Sequence, residues 1–227
     1  MTERERVRSA YDEIAETYDE QRDDDPPETA LLDSFIDRLP AAPRVLDAGC
    51  GSGEPITRRI TAETTLAGLD FSRSQLELAA ERLPETPFVH GDLTALPFRD
   101  DAFDGLVSAY AVIHVPWDEH GTVFGEFHRV LRPSAPLLVS VGSGDWEGST
   151  EDWLGGGAEM HWSQPGPDRT TALLRTAGFT IEETHAVADT LADEDGEEPV
   201  DQTDATTDEE PDEGDDVGEK VFVWATA

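Results

Sequence analysis

The 227-residue chain has one cysteine, Cys50, and one lysine, Lys220. A lone thiol excludes an intramolecular disulfide and a cysteine-rich zinc site, and it fits a reducing compartment. Cations of any kind are scarce, with 16 basic residues against 51 acidic ones and a formal net charge of −35. Electrostatic capture of nucleic acid or of an anionic membrane is therefore disfavoured. Long apolar runs are missing as well. The strongest, Leu137 to Val141, is far too short to span a bilayer, and the opening Met1-Thr2-Glu3-Arg4-Glu5-Arg6 has no apolar signal-peptide core. These absences predict a soluble, unexported, cytoplasmic chain with no membrane attachment.

Fifteen of the sixteen cations are arginines. Abundant carboxylate with almost no lysine resembles the composition of proteins from extreme halophiles, whose molar salt shortens the Debye length to roughly 3 Å and makes self-repulsion tolerable. The acidity is uneven. Between Asp189 and Lys220 stand sixteen carboxylates, with little apolar beyond Leu191, Val200, Val217 and a few alanines. Such a segment cannot bury a core. The remainder still sets 35 acids against fifteen arginines, so the halophilic reading does not depend on the run. Apolar character returns at Val221-Phe222-Val223-Trp224-Ala225, which reads as a strand. The length suits one large domain. Residues 1–227 are thus expected to form a single domain, with 190–219 an acidic, disordered insertion before the last strand.

Elsewhere short apolar runs alternate with helical patterns. Val7, Tyr11, Ile14 and Tyr18 share one helical stripe, and Leu31, Phe35 and Leu39 another. Strand-like runs follow at Arg44 to Asp47, Thr65 to Asp70, Phe88 to Gly91, Phe103 to Ser108, Pro136 to Val141 and Phe179 to Val187. Ser72-Arg73-Ser74-Gln75 reads as a capping-box helix start, and Val123, Phe127, Val130 and Leu131 as one face of a later helix. Strand and helix alternating at this spacing mean an α/β fold with a doubly wound sheet, whose binding crevice lies at the carboxyl ends of the central strands.

The most informative stretch is Val45-Leu46-Asp47-Ala48-Gly49-Cys50-Gly51-Ser52-Gly53-Glu54-Pro55. Its Gly-x-Gly-x-Gly turn follows the first strand directly, and Pro55 suits the first turn of a helix. A dinucleotide-binding loop wants a third glycine at position 54, where glutamate stands instead. An anionic side chain where a pyrophosphate would sit argues against NAD and FAD. The Gly-Lys-Ser/Thr ending that cradles ATP or GTP phosphates is absent too, so adenosine without phosphate fits better. Asp70 ends the second strand, where a carboxylate can accept from both ribose hydroxyls, and Asp92 ends the third, where it can accept from an adenine amino group. Taken alone, each reads as a solvated aspartate of an acidic protein. Three such features on successive strand ends favour the cofactor reading.

In these residues the chain resembles the class I S-adenosylmethionine-dependent methyltransferases. Val45 to Gly53 resembles their first motif, Leu69-Asp70-Phe71-Ser72 their ribose-binding strand end, and Gly91 to Phe98 their adenine-binding segment. Phe103 to Ala109 is similar to their fourth strand, Val130-Leu131-Arg132-Pro133 to the turn before the fifth, and Leu173 to Phe179 to the passage into the sixth. Ser134-Ala135 stands where a glycine pair is usual, and Ile113-His114 where two histidines are frequent. The resemblance implies a mostly parallel, seven-stranded Rossmann-like sheet with an antiparallel last strand, and S-adenosyl-L-methionine as cofactor. It places Asp47, Gly49, Gly51 and Gly53 at the methionine end, Asp70 at the ribose, Asp92 and Leu93 at the adenine, and Phe71 as an apolar wall. It adds Ala109, and Tyr18 with Tyr11 as covering residues from the N-terminal helix, a stripe that also reads as core packing.

Methyl transfer from a sulfonium needs a general base only when the acceptor must lose a proton early. His114 and His161 are the candidates. His114 reads also as a helix-entry histidine satisfied by backbone groups. His161 sits in a run from Gly142 to Gln164 that holds Trp146, Trp153 and Trp162 and reads as a pocket lid or as a satellite core under a long loop. No metal site is expected, and no Asn-Pro-Pro-Tyr motif for base amines occurs. The reading is a methyltransferase acting on a small molecule, on oxygen or nitrogen rather than carbon. The alternatives are an RNA or protein methyltransferase and a non-catalytic S-adenosylmethionine-binding module. The oligomeric state is not legible.

Overall fold

Alternate residues of the strands face opposite sides of the sheet, and two apolar layers follow from that period. The computed structural model describes residues 2–22, 27–188 and 219–227. The acidic insertion expected over 190–219 therefore lies outside the described residues except for Glu219, which opens the last strand.

Seven strands form one sheet: β1 (Arg44–Ala48), β2 (Thr65–Asp70), β3 (Phe88–His90), β4 (Gly105–Ser108), β5 (Pro136–Gly142), β8 (Thr180–Ala188) and β9 (Glu219–Thr226). Their order is β3-β2-β1-β4-β5-β9-β8. The pairs from β3 to β5 are parallel, and β9 runs antiparallel between β5 and β8, as expected. On one face Val45, Leu66, Val107, Leu138, Phe222 and Trp224 meet Leu32 and Phe35 of α3 (Thr29–Asp37) and Ile56 and Ile60 of α4 (Ile56–Thr61). On the other, Leu46, Leu106, Val139 and Val223 meet Phe124 and Phe127 of α6 (His120–Val130) and Leu174 of α7 (Pro167–Ala177). Covering both faces explains why β4 is buried at every position. At the edge, β8 has only exposed and half-buried residues, and its Glu182, Glu183 and His185 blunt it against strand addition.

Strand order reverses between β1 and β4, so a crevice opens above their carboxyl ends. Over it lie α1 (Glu3–Glu13), α2 (Ala15–Glu20) and a hairpin of β6 (Trp146–Thr150) and β7 (Met160–Gln164). Two expectations change here. The Val7 to Tyr18 stripe is two helices, because Ile14 leaves helical geometry (φ −100°, ψ 13°) where it packs against Gly156. The Gly142 to Gln164 run is partly a paired ribbon, not loop alone. Between its strands runs a 3-10 turn, Trp153–Gly155. Helix α5 (Arg73–Arg82) begins at Ser72, whose hydroxyl accepts from the Gln75 amide at 3.2 Å.

Candidate active site

The floor of the crevice is the turn between β1 and α4. Gly49, Gly51 and Gly53 have φ of 89°, 52° and 83°, a region that L side chains adopt only at a cost. Space is tightest at Gly49, where a Cβ would come within 2.2 Å of the Ala111 Cβ. Backbone groups hold the turn to β2: Gly49 and Cys50 N–H donate to the Leu69 carbonyl at 2.7 and 3.0 Å. Cys50 is a buried small residue under that turn, and burial pushes its thiol pKa well up.

Three acids stand at the strand ends. Asp70 is 7% exposed and accepts from Gly51 N–H at 2.9 Å and Ser72 N–H at 2.8 Å, one bond per oxygen. Burial raises its pKa, and these backbone donors offset part of that rise. Asp47 accepts from the Thr57 hydroxyl at 2.5 Å, and burial pushes its pKa up to about 7. Asp92 accepts at one oxygen from Thr94 N–H (2.8 Å) and hydroxyl (2.6 Å), and at the other from Arg4 at 2.9 Å.

Polar pins fasten the cover. Asp12 of α1 accepts from the Ser72 hydroxyl at 2.8 Å, Asp19 of α2 accepts from the Ser52 hydroxyl at 2.6 Å and pairs with Arg82, and Arg4 bridges Asp92 and Glu119. Beneath them Val7, Tyr11, Ile14, Ala158 and Met160 form a small separate core with Tyr18, Phe71, Trp153 and Trp162 against it. The ring of Trp153 meets Tyr11 at 6.0 Å and Tyr18 at 5.6 Å.

Floor and cover bound a cleft whose open space, its solvent-continuous mouth included, is about 650 Å³. Of the sequence candidates, Gly49, Gly51, Asp70, Phe71, Asp92, Leu93, Ala109, Tyr18 and His114 line it. Asp47 and Gly53 do not line it. His161 does not line the cavity: its ring sits between Arg6 and Glu159, and its carbonyl oxygen accepts from His114 Nδ1 at 2.8 Å. His114 is buried at the loop after β4, its Nε2 lies 2.8 Å from the Tyr11 hydroxyl, and burial pushes its pKa down to about 4.

Among the lining residues that the sequence does not single out are Arg4 and Gln75. Arg4 reaches the cavity from the first turn of α1, and no local pattern announces it. A capping box at the start of α5 would carry the Gln75 side chain back to Ser72. Instead its amide is buried beside Gly51, with neither nitrogen nor oxygen paired among the described residues. A buried polar group without a partner costs about 1–3 kcal/mol, so this amide fits a ligand that brings hydrogen-bonding groups. Asp70 adds unused acceptor capacity on the same wall. Both suit a ribose-bearing cofactor.

Comparison with known proteins agrees with this chemistry. Residues 45–134 match a family described as a methyltransferase domain. An O-methyltransferase of Aspergillus nomiae is 30% identical over 65% of this chain and 68% of its own length. A demethylmenaquinone methyltransferase of Renibacterium salmoninarum is 34% identical over 46% of this chain and 44% of its own. The chain spans about half the length of several of the curated relatives it matches. Among solved structures, the magnesium protoporphyrin IX methyltransferase of Synechocystis PCC 6803, with bound S-adenosylhomocysteine, shares the fold at a TM-score of 0.67, 16% identity and 99% coverage of both chains. By its sheet, its glycine turn and these relatives, the chain belongs to the class I S-adenosylmethionine-dependent methyltransferases.

Proposed function

We propose that this chain transfers a methyl group from S-adenosylmethionine to an oxygen or nitrogen of a small molecule. The observation that carries the reading is the cavity wall made by Asp70, Gly51 and Gln75, where acceptor capacity and an unpaired buried amide await a polar ligand. Asp70 would take the ribose hydroxyls and the cavity face of Gly49 and Gly51 the methionine end, with Asp47 and Gly53 shaping the turn. Leu93, Phe71, Ala109 and Tyr18 supply apolar contact. Asp92 would face the adenine with Arg4 across one oxygen. A sulfonium methyl is already activated, so positioning can supply much of the acceleration, on the order of 7–11 kcal/mol for well-oriented reactants.

A small acceptor suits a cleft walled by Tyr11, Tyr18, Phe71 and His114. It also suits relatives named for an O-methyl transfer and for demethylmenaquinone. The net charge of −35 speaks against an RNA backbone as substrate. Calorimetry on the wild type and Asp70→Ala tests the cofactor half: loss of charge-assisted bonds worth roughly 1.5–3 kcal/mol should weaken S-adenosylmethionine about ten- to a hundredfold. Equal affinities reject the assignment. Labelled cofactor with a small-molecule extract tests transfer, and label in an extractable product with accumulating S-adenosylhomocysteine is the expected result. Binding without turnover across a broad panel would favour the non-catalytic module.

The charge supports a further part of this reading, that the protein works in molar salt. Raising potassium chloride from about 0.1 to 3 M should screen self-repulsion and raise the melting temperature. A salt-indifferent melt would reject it.

A further inference from the structure

One wall of the cavity holds a hydrogen-bond chain whose directions follow from its geometry and the burial of His114. His114 Nδ1 lies 2.8 Å from the His161 carbonyl oxygen, an atom that can only accept, so Nδ1 carries a proton. Burial keeps the imidazole neutral at physiological pH, and a neutral ring protonated on Nδ1 has only a lone pair on Nε2. The Tyr11 hydroxyl, 2.8 Å from Nε2, must therefore be the donor. Its one proton is committed, so toward any further partner its oxygen can only accept. The neighbouring Tyr18 hydroxyl accepts from Arg22 at 3.3 Å and stands within hydrogen-bonding reach of the Tyr11 hydroxyl, so a bound acceptor shares the Tyr11 oxygen with it.

We propose that Tyr11 selects the methyl acceptor by its proton: the Tyr11 oxygen, held as a hydrogen-bond acceptor by His114 and the His161 carbonyl, receives an O–H or N–H of the acceptor and aims that atom's lone pair. The inference rests on the methyltransferase reading and narrows its substrate to neutral hydroxyl or amine compounds, phenols among them. A carboxylate or an ether brings no proton and leaves the Tyr11 oxygen facing lone pairs. Sites built to bond a substrate hydroxyl reject analogues lacking it far more strongly than apolar pockets reject a changed methylene. Tyr11 is the residue that touches the acceptor, whereas His114 acts through it as a positioning residue. A ring held near pKa 4 is poorly matched to general-base work at neutral pH.

Two measurements test this. Nitrogen-15 histidine spectra should find His114 protonated at Nδ1 and hydrogen-bonded but unprotonated at Nε2, with Tyr11→Phe shifting Nε2. A proton on Nε2 overturns the proposal, because Tyr11 would then be free to donate. Calorimetric titration of protein saturated with S-adenosylhomocysteine, using phenol and anisole as ring-matched probes, reads the selection directly. The wild type should prefer phenol by about tenfold or more, and Tyr11→Phe should reduce the preference to about twofold or less while S-adenosylhomocysteine affinity holds within about twofold. Equal affinities in the wild type, binding of neither probe, or a preference that survives the substitution overturns the proposal. So does a loss of S-adenosylhomocysteine affinity in Tyr11→Phe, which would make Tyr11 a cofactor contact. A wild type that binds no S-adenosylhomocysteine overturns the methyltransferase reading itself, and the inference with it.

Discussion

Floor and cover of the cavity are held by different physics. The floor is fastened by backbone: amides of Gly49, Cys50 and Gly51 reach the end of β2, and glycine dihedrals set the turn. The cover is fastened by side chains, through Asp12, Asp19 and Arg4 at its edges and aromatic contacts beneath. Backbone bonds in a buried turn form and break with the fold. Half-exposed ion pairs and a small satellite core open at lower cost. The floor is therefore the rigid half and the cover the half that can part to admit a ligand.

The largest test of that contrast is at Gly49. Alanine there meets φ 89° and the Ala111 Cβ at 2.2 Å. Left-handed strain of about 1–2 kcal/mol and overpacking of about 1–3 kcal/mol together predict a loss of about 2–5 kcal/mol in denaturant melts. S-adenosylmethionine binding should fall with it. Adding Ala111→Gly should recover the overpacking part but not the strain, and a fully additive double mutant would mean that the turn is not packed as described.

The same contrast explains what the sequence reveals. The floor is built from residues whose type answers a local demand, glycine for positive φ and aspartate at a strand end, and β2 is legible from Thr65 to Asp70 for that reason. Val221 to Ala225 is legible as a strand because a fully apolar run after a charged tract needs partners on both sides, which β5 and β8 provide. The cover depends on contacts between residues 103 and 155 positions apart, Tyr11 with His114 and Arg6 with His161. No local pattern encodes those. The β6–β7 hairpin was hidden by Gly148 and by the sequence Met160-His161-Trp162-Ser163-Gln164, whose burial does not alternate cleanly. Gln75 was hidden by a plausible local role at the start of α5.

A rigid floor can also carry a cost, and Asp47 carries one. Its folded pKa of about 7 stands above the ordinary 3.8, so the unfolded chain releases this proton first as pH rises. The group therefore contributes no penalty below about pH 4, and a growing one up to about pH 7, approaching roughly 2–4 kcal/mol. Asp47→Asn keeps an acceptor for Thr57 and removes the charge. The stability of the variant relative to wild type should be near zero at pH 4 and rise in favour of asparagine by pH 8, while repulsion among the other carboxylates cancels in the difference. A difference independent of pH would show that Asp47 is not buried as described.

The smallest effect belongs to the cover. Arg4 pairs with Asp92 and Glu119, and all three side chains are about a third exposed or more. Pairs so placed contribute about 0.2–1 kcal/mol, less in high salt. Arg4→Ala should thus leave global stability almost unchanged. Local opening of α1 should nevertheless become easier, so amide exchange in α1 should accelerate up to about fivefold at low salt while β1 and β2 keep wild-type protection. Molar potassium chloride should shrink the difference, because it weakens the pair in the wild type and has nothing to weaken in the variant. If β1 and β2 exchange faster as well, floor and cover open as one unit and their separation fails. If α1 is unchanged at low salt, the arginine is not a pin, and the apolar contacts of Val7, Tyr11 and Ile14 hold the cover by themselves.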